Sequence, residues 1–135
     1  MNMPFKSGLR LATICAMAFV LPVSAHHSHG NYVDTFMDIE GVVKELHLVV
    51  PHSWIYLEVK DSNGAPQMWA LEATSRTGLQ RIGVTPDYVK PGDTVKARCH
   101  HLRDGSNGCL LGFLKAKDGT VKDWDGNNAP PPPDF

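Results

Sequence analysis

The chain has no surplus of positive charge: 13 Lys and Arg stand against 14 Asp and Glu, a net charge of −1. Nucleic-acid binding normally needs a basic stripe that displaces counterions, so no nucleic-acid partner is expected. Neither Gly-x-Ser-x-Gly nor Cys-x-x-Cys occurs, nor any glycine-rich phosphate loop, and a hydrolase or nucleotide enzyme finds no support. Enzyme status stays open on the sequence, and these absences lean against it. No apolar run reaches the roughly 20 residues of a spanning helix. The longest, Leu11-Ala-Thr-Ile-Cys-Ala-Met-Ala-Phe-Val-Leu21, follows Lys6 and Arg10 and precedes Pro22-Val-Ser-Ala25. A basic start, a short apolar run and a small residue at the end is the order of a cleavable export signal. Residues 1–25 are therefore expected to be removed after Ala25, delivering the rest to the periplasm with no membrane segment. A cut one residue earlier would put Pro22 at minus three.

Cysteine is scarce too, at three residues, and Cys15 leaves with the signal. Cys99 and Cys109 then meet an oxidising compartment, where a disulfide is expected. The competing reading makes one of them a thiolate metal ligand beside His100 and His101. Removing the signal takes away two basic residues and no acid, leaving about −3 on 110 residues. A chain of that length makes one domain with a modest core.

Beyond the signal, residues 26–38 show no periodicity and read as a His-rich arm. Ile39 to Val50 is rich in β-branched residues and reads as the first strand, with Gly41 marking a bend or bulge. Trp54 to Lys60 alternates, Ile55, Leu57 and Val59 against Trp54, Tyr56 and Glu58, as a half-buried second strand. Asp61-Ser-Asn-Gly64 turns the chain into Gln67 to Ala73 as a third. Thr74 or Ser75 can cap a short helix that Gly83 ends, and Thr85-Pro86 can open a further single turn. Thr94 to His101 alternates again, Val95, Ala97, Cys99 and His101 on one face, and Cys109 to Lys115 follows after a loop. Three strands, a short helix and two strands is the order of an all-β, OB-type five-stranded Greek-key barrel over residues 39–124. A β-sandwich normally needs about seven strands. Residues 125–135, with four consecutive prolines, read as an extended, disordered tail.

Ala25-His-His-Ser28, Pro51-His-Ser-Trp54, Trp69-Ala-Leu-Glu72, Pro91-Gly-Asp93 and Leu102-Arg-Asp-Gly-Ser106 occur together in this order. The set resembles a family of exported bacterial proteins, domain of unknown function 6152. Its most specific part is His-His-Ser at the export site paired with Pro-His-Ser-Trp. Val50 stands where members often carry Asn before the Pro-His, and the paired cysteines are peculiar to this chain. The resemblance implies a secreted single domain and brings no reaction or ligand, so the chemistry has to come from the residues.

The seven histidines are the unusual chemical feature. His26, His27 and His29 sit at the expected new N-terminus, His47 lies on the first strand, His52 beside Pro51, and His100 and His101 at the end of the fourth. Cleavage after Ala25 makes His26 the first residue, so its α-amine and ring Nδ1 can close a chelate on one ion. The ordinary amine pKa near 7.7 lets a metal displace its proton at neutral pH. One further imidazole completes a three-nitrogen site similar to a histidine brace, and nitrogen donors in that layout favour Cu(II). The candidate metal ligands are His26, His27, His29, His52 and His101. His100 and His101 point to opposite strand faces, so at most one joins a given site. Glu72 is a candidate to orient a ligand histidine, against its plainer reading as an exposed carboxylate. The expectation is a copper protein that buffers or delivers the ion, with another periplasmic protein as a possible partner. The alternative is a metal-independent module binding a protein or small polar ligand on a face carrying Trp54, Tyr56 and Trp69. A copper redox enzyme would need an open coordination position and a substrate surface, and the sequence shows neither.

Overall fold

The computed structural model describes residues 29–135; the expected signal segment, His26 and His27 lie outside the described residues. A single 3₁₀ turn at His29–Asn31 leads into β1 (Tyr32–His47), β2 (Ser53–Lys60) and β3 (Pro66–Ala73). Helix α1 (Arg76–Arg81), β4 (Thr94–Leu102), β5 (Gly108–Lys115) and the short β6 (Val121–Asp123) follow. The strand order is β3-β2-β1-β4-β5-β6, and a parallel pairing of β3 with β5 closes the first five into a ring. Every other pairing is antiparallel. This is the expected OB-type barrel with the helix between its third and fourth strands, and β6 is an additional short strand on β5.

Closure depends on β1, which is long enough to serve two neighbours. Its first part pairs with β4 from Tyr32↔Leu102 to Val42↔Thr94, and its last part with β2 from Val42↔Glu58 to His47↔Trp54. The strand therefore begins seven residues before the expected Ile39, and Tyr32 to Asp38 belong to it rather than to an arm. Those residues are mostly exposed, so no apolar alternation announces them; the edge of β4 supplies their hydrogen bonds. The irregularity expected at Gly41 falls between Val43 and Glu45. Gly41 serves a different end: a Cβ there would sit 2.7 Å from the Glu58 carbonyl oxygen.

Inside the ring, Ile55, Leu57, Leu71, Leu111 and Leu114 are fully or almost fully buried. Leu79 of α1 closes one side of this core, and the helix is held by Ser75, whose Oγ accepts from the Gly78 N–H at 3.2 Å. Gly83 follows at φ +82°, a left-handed conformation that suits a residue without a side chain. Cys99 and Cys109 form the expected disulfide across β4 and β5, Cα–Cα 5.6 Å, which removes the thiolate-ligand reading. Trp69 does not join an outer aromatic face. It pairs with Leu57 and packs against the core, whereas Trp54 and Tyr56 are half-buried on the outer side.

Residues after β6 form no helix or strand, as expected, yet they return to the barrel. Trp124 is fully buried, its backbone N–H donating to the Gly112 carbonyl at 2.7 Å and its backbone carbonyl accepting from the Thr74 N–H at 3.0 Å. Asp134 meets Arg98 at 2.8 Å, and the Phe135 ring lies among Lys96, Arg98 and Lys115. Most of 125–135 is exposed, as expected of a solvated tail, but its last two residues meet the barrel: the prolines rule out a strand, not docking. No helix of the described residues is long and apolar enough to cross a membrane.

Candidate functional site

A carboxylate on a barrel wall loses its hydration unless partners replace it. Glu72, near the end of β3, is only 7% exposed and has two such partners. The Tyr32 hydroxyl, from the first residue of β1, donates to its Oε2 at 2.6 Å. The His52 ring, just before β2, places Nδ1 3.1 Å from Oε1. Burial first, and then the adjoining Glu72 carboxylate, push the Tyr32 phenol well above its usual range. Tyr32 therefore stays a neutral donor at any physiological pH.

Three elements meet at this point for reasons visible in the register. Glu72 pairs with Trp54 on one side and Leu110 on the other, while β1 begins opposite Leu102 at the end of β4. His52 is set by Pro51 before it and by Ser53 after it, whose backbone N–H donates to the Thr74 carbonyl at 3.1 Å. The group opens on a cleft of about 440 Å³ whose lining includes His52, Glu72, Thr74, Ser75, Asp125 and Asn127. With Nδ1 directed at a carboxylate, the orientation of the ring is set by Glu72. That is the arrangement in which metal-ligating histidines are typically supported.

The remaining histidines are spread around the barrel. His47 has Nε2 2.9 Å from Glu45 Oε2 and an edge contact with Tyr56. The His100 ring stacks on Phe36 at 4.1 Å on the outer face, with Nδ1 buried. His101 sits against Trp69, its Nε2 2.9 Å from the Ser106 carbonyl, so that nitrogen carries the proton. His101 thus lies at the inner side of the end of β4, tied to its own loop, and is not brought together with His52. Among the described residues no group of three or more His, Cys, Asp or Glu side chains could hold a metal ion. His26 and His27 lie outside those residues, and of His29 only the backbone course is described. The sequence raised His52 as one candidate ligand among five and Glu72 as a support for an unspecified histidine, its plainer reading being an exposed carboxylate; the structure sets the two side by side, and Tyr32 carried no signal, because nothing local tells that its hydroxyl reaches across to β3.

The chain matches the model of a family of unknown function, DUF6152, over residues 14–111. No curated protein matches it. Among solved structures it is similar to the mitochondrial single-stranded DNA-binding protein Rim1 from S. cerevisiae, with TM-score 0.45 and 11% identity. That match covers 61% of this chain and 92% of the other. A likeness at this level carries nothing about function.

Proposed function

The chain belongs to the DUF6152 family, which brings no activity with it, and on the residues themselves we propose an exported, periplasmic copper-binding protein. It buffers or delivers the ion through its N-terminal histidines together with His52. The observation that carries this reading is the Tyr32–Glu72–His52 chain, which aligns one imidazole at the place where the His-rich segment joins the barrel. His29 lies three residues before Tyr32, and His26 six. With His29–Asn31 in a 3₁₀ turn, the three residues before it reach at most about 10 Å when extended, which keeps an amine and ring at position 26 close to this end of β1. The donor set is then nitrogen from an amine and two imidazoles, which suits Cu(II) over Zn(II).

Protein beginning at His26 is expected to bind one Cu(II) far more tightly than Zn(II), with nitrogen hyperfine structure in its electron paramagnetic resonance spectrum. Adding one residue before His26 moves the amine away from its ring and should weaken binding by orders of magnitude. His52→Ala should weaken it as well, and Glu72→Gln by about 10- to 100-fold, as for other carboxylates that support a ligand histidine. His47→Ala should change little. Copper bound equally well by the extended protein would refute the brace.

One observation favours a second reading, a metal-independent module for a small polar ligand or a protein. The cleft beside Glu72 also offers the Thr74, Ser75 and Asn127 side chains. A ligand that raises the melting temperature of metal-free protein, with the gain lost in Thr74→Val, would favour it.

A further inference from the structure

Away from the His52–Glu72 cleft, Lys96 of β4 stands directly opposite Lys115 of β5, and Arg98 opposite Phe113. Like charges facing each other across a strand pair repel, so this face needs anions beside it. β1 supplies two, Asp38 opposite Arg98 and Glu40 opposite Lys96. Three cations against two carboxylates leave one positive charge on the face of a chain whose net charge is −1. The segment after β6 meets that excess. Arg98 Nε and Nη2 are held by Asp38 at 2.7 and 2.9 Å, and Nη1 donates to Asp134 at 2.8 Å. The Phe135 N–H donates to the Pro132 carbonyl at 3.2 Å, a turn that delivers the Asp134 carboxylate and the next ring to the same place. The ring centroid lies 4.9, 5.1 and 5.2 Å from the cationic groups of Lys96, Arg98 and Lys115, and 6.4 Å from that of Phe113.

We propose that this face is a docking site for a turn of another protein in which an acidic residue is followed by an aromatic one, and that Asp134 and Phe135 fill it in the free protein. The receiving half is built into the barrel. Arg98, its side chain only 13% exposed, is fixed by its two bonds to Asp38 whether or not Asp134 is present. The filling half is loosely held: the Asp134 side chain is 75% exposed, and residues 127–131 are exposed. A contact of that kind is weak on its own and persists because the tether keeps its local concentration high. A hollow of about 350 Å³ lined by Glu40, Lys96, Lys115 and Lys117 adjoins the face and gives a partner chain room to continue. Charge complementarity and the chemistry of the resident pair thus define the partner together.

The full chain carrying Asp134→Ala/Phe135→Ala frees the face without shortening the protein. Titrated with the peptide Ala-Pro-Pro-Pro-Pro-Asp-Phe, amidated so that only side chains are read, it should show amide shifts confined to Lys96, Arg98, Phe113, Lys115 and their neighbours. The unaltered chain should bind the peptide about tenfold more weakly, because its own end competes at an effective concentration on the order of millimolar. Peptides carrying Asp134→Asn or Phe135→Ala should each lose binding by about tenfold, and Lys115→Ala in the double variant should weaken the parent peptide. An amidated peptide of different sequence, Gly-Ser-Pro-Asp-Trp, should bind within a few-fold of it. Absence of binding to the double variant, shifts at other residues, or equal binding to the unaltered chain overturns the docking site. Binding of the chain's own sequence alone, with Gly-Ser-Pro-Asp-Trp inert, also overturns it, and leaves an intramolecular contact without a partner.

Discussion

Arg98 is shared by two carboxylates, Asp38 at 2.7 Å and Asp134 at 2.8 Å, and this is where single residues give the fold a pH dependence. Hydrogen bonds from Arg98 are the main cause holding both carboxyl groups below their usual range; Lys96 adds to the effect on Asp38, and Asp38 slightly opposes it on Asp134. A carboxyl whose folded pKa is depressed contributes stability above its unfolded value and loses it as pH falls through the folded one. Stability should therefore decline below about pH 4, the ordinary aspartate range. Arg98→Gln should flatten that decline in urea titrations run at successively lower pH, and an unchanged slope would refute the assignment. Glu72 poses a separate residue-scale question, because its burial was not legible in the sequence: Trp69-Ala-Leu-Glu72 ends a strand where a carboxylate is ordinarily solvated. What buries it is Tyr32, forty residues away. Tyr32→Phe leaves Glu72 Oε2 without that donor and should cost about 1 to 3 kcal/mol in chemical denaturation.

Strands with one face in the core could be read directly from alternation, and β2 and β4 fall where Ile55/Leu57 and Val95/Ala97/Cys99 place them. The start of β1 could not, because Asp34, Thr35 and Phe36 are exposed and the chain there follows β4 through the pairs Tyr32↔Leu102 and Phe36↔His100, across an irregularity. Trp69 misled for the opposite reason: an aromatic near Gln67 and Met68 suggests a surface, but its register with Leu57 turns it inward. The Cys99–Cys109 bridge joins β4 to β5 over a separation of 10 residues, and both cysteines are fully buried. Constraining a loop of that size in the unfolded chain should be worth about 2 to 3 kcal/mol. Cys99→Ser is expected to lower the denaturation free energy by that amount, and non-reduced native protein should contain no free thiol in the described domain.

At the scale of the molecule, the strand count and the helix position led to the barrel, while the pairing that closes it, β3 along β5, is a long-range contact no local pattern announces. The end of the folded domain was likewise legible at Trp124 but not beyond it, since a proline-rich, mostly exposed segment looks solvated whether or not its ends are anchored. These two regions make opposite contributions, which can be measured. Trp124 fills the core, and its backbone ties Gly112 of β5 to Thr74 after β3, next to the closing pair of strands. Trp124→Ala removes a large buried ring and should cost about 3 to 5 kcal/mol. Truncation after Asn127 removes Ala129, whose N–H bonds Asp123, together with the exposed Asp134 and the half-buried Phe135. Screened surface contacts of this kind add little to global stability. The truncated protein should thus keep a cooperative thermal transition lowered only slightly, and raised salt should narrow its difference from the full chain. A truncation as damaging as Trp124→Ala would mean that the segment is part of the core rather than a surface contact.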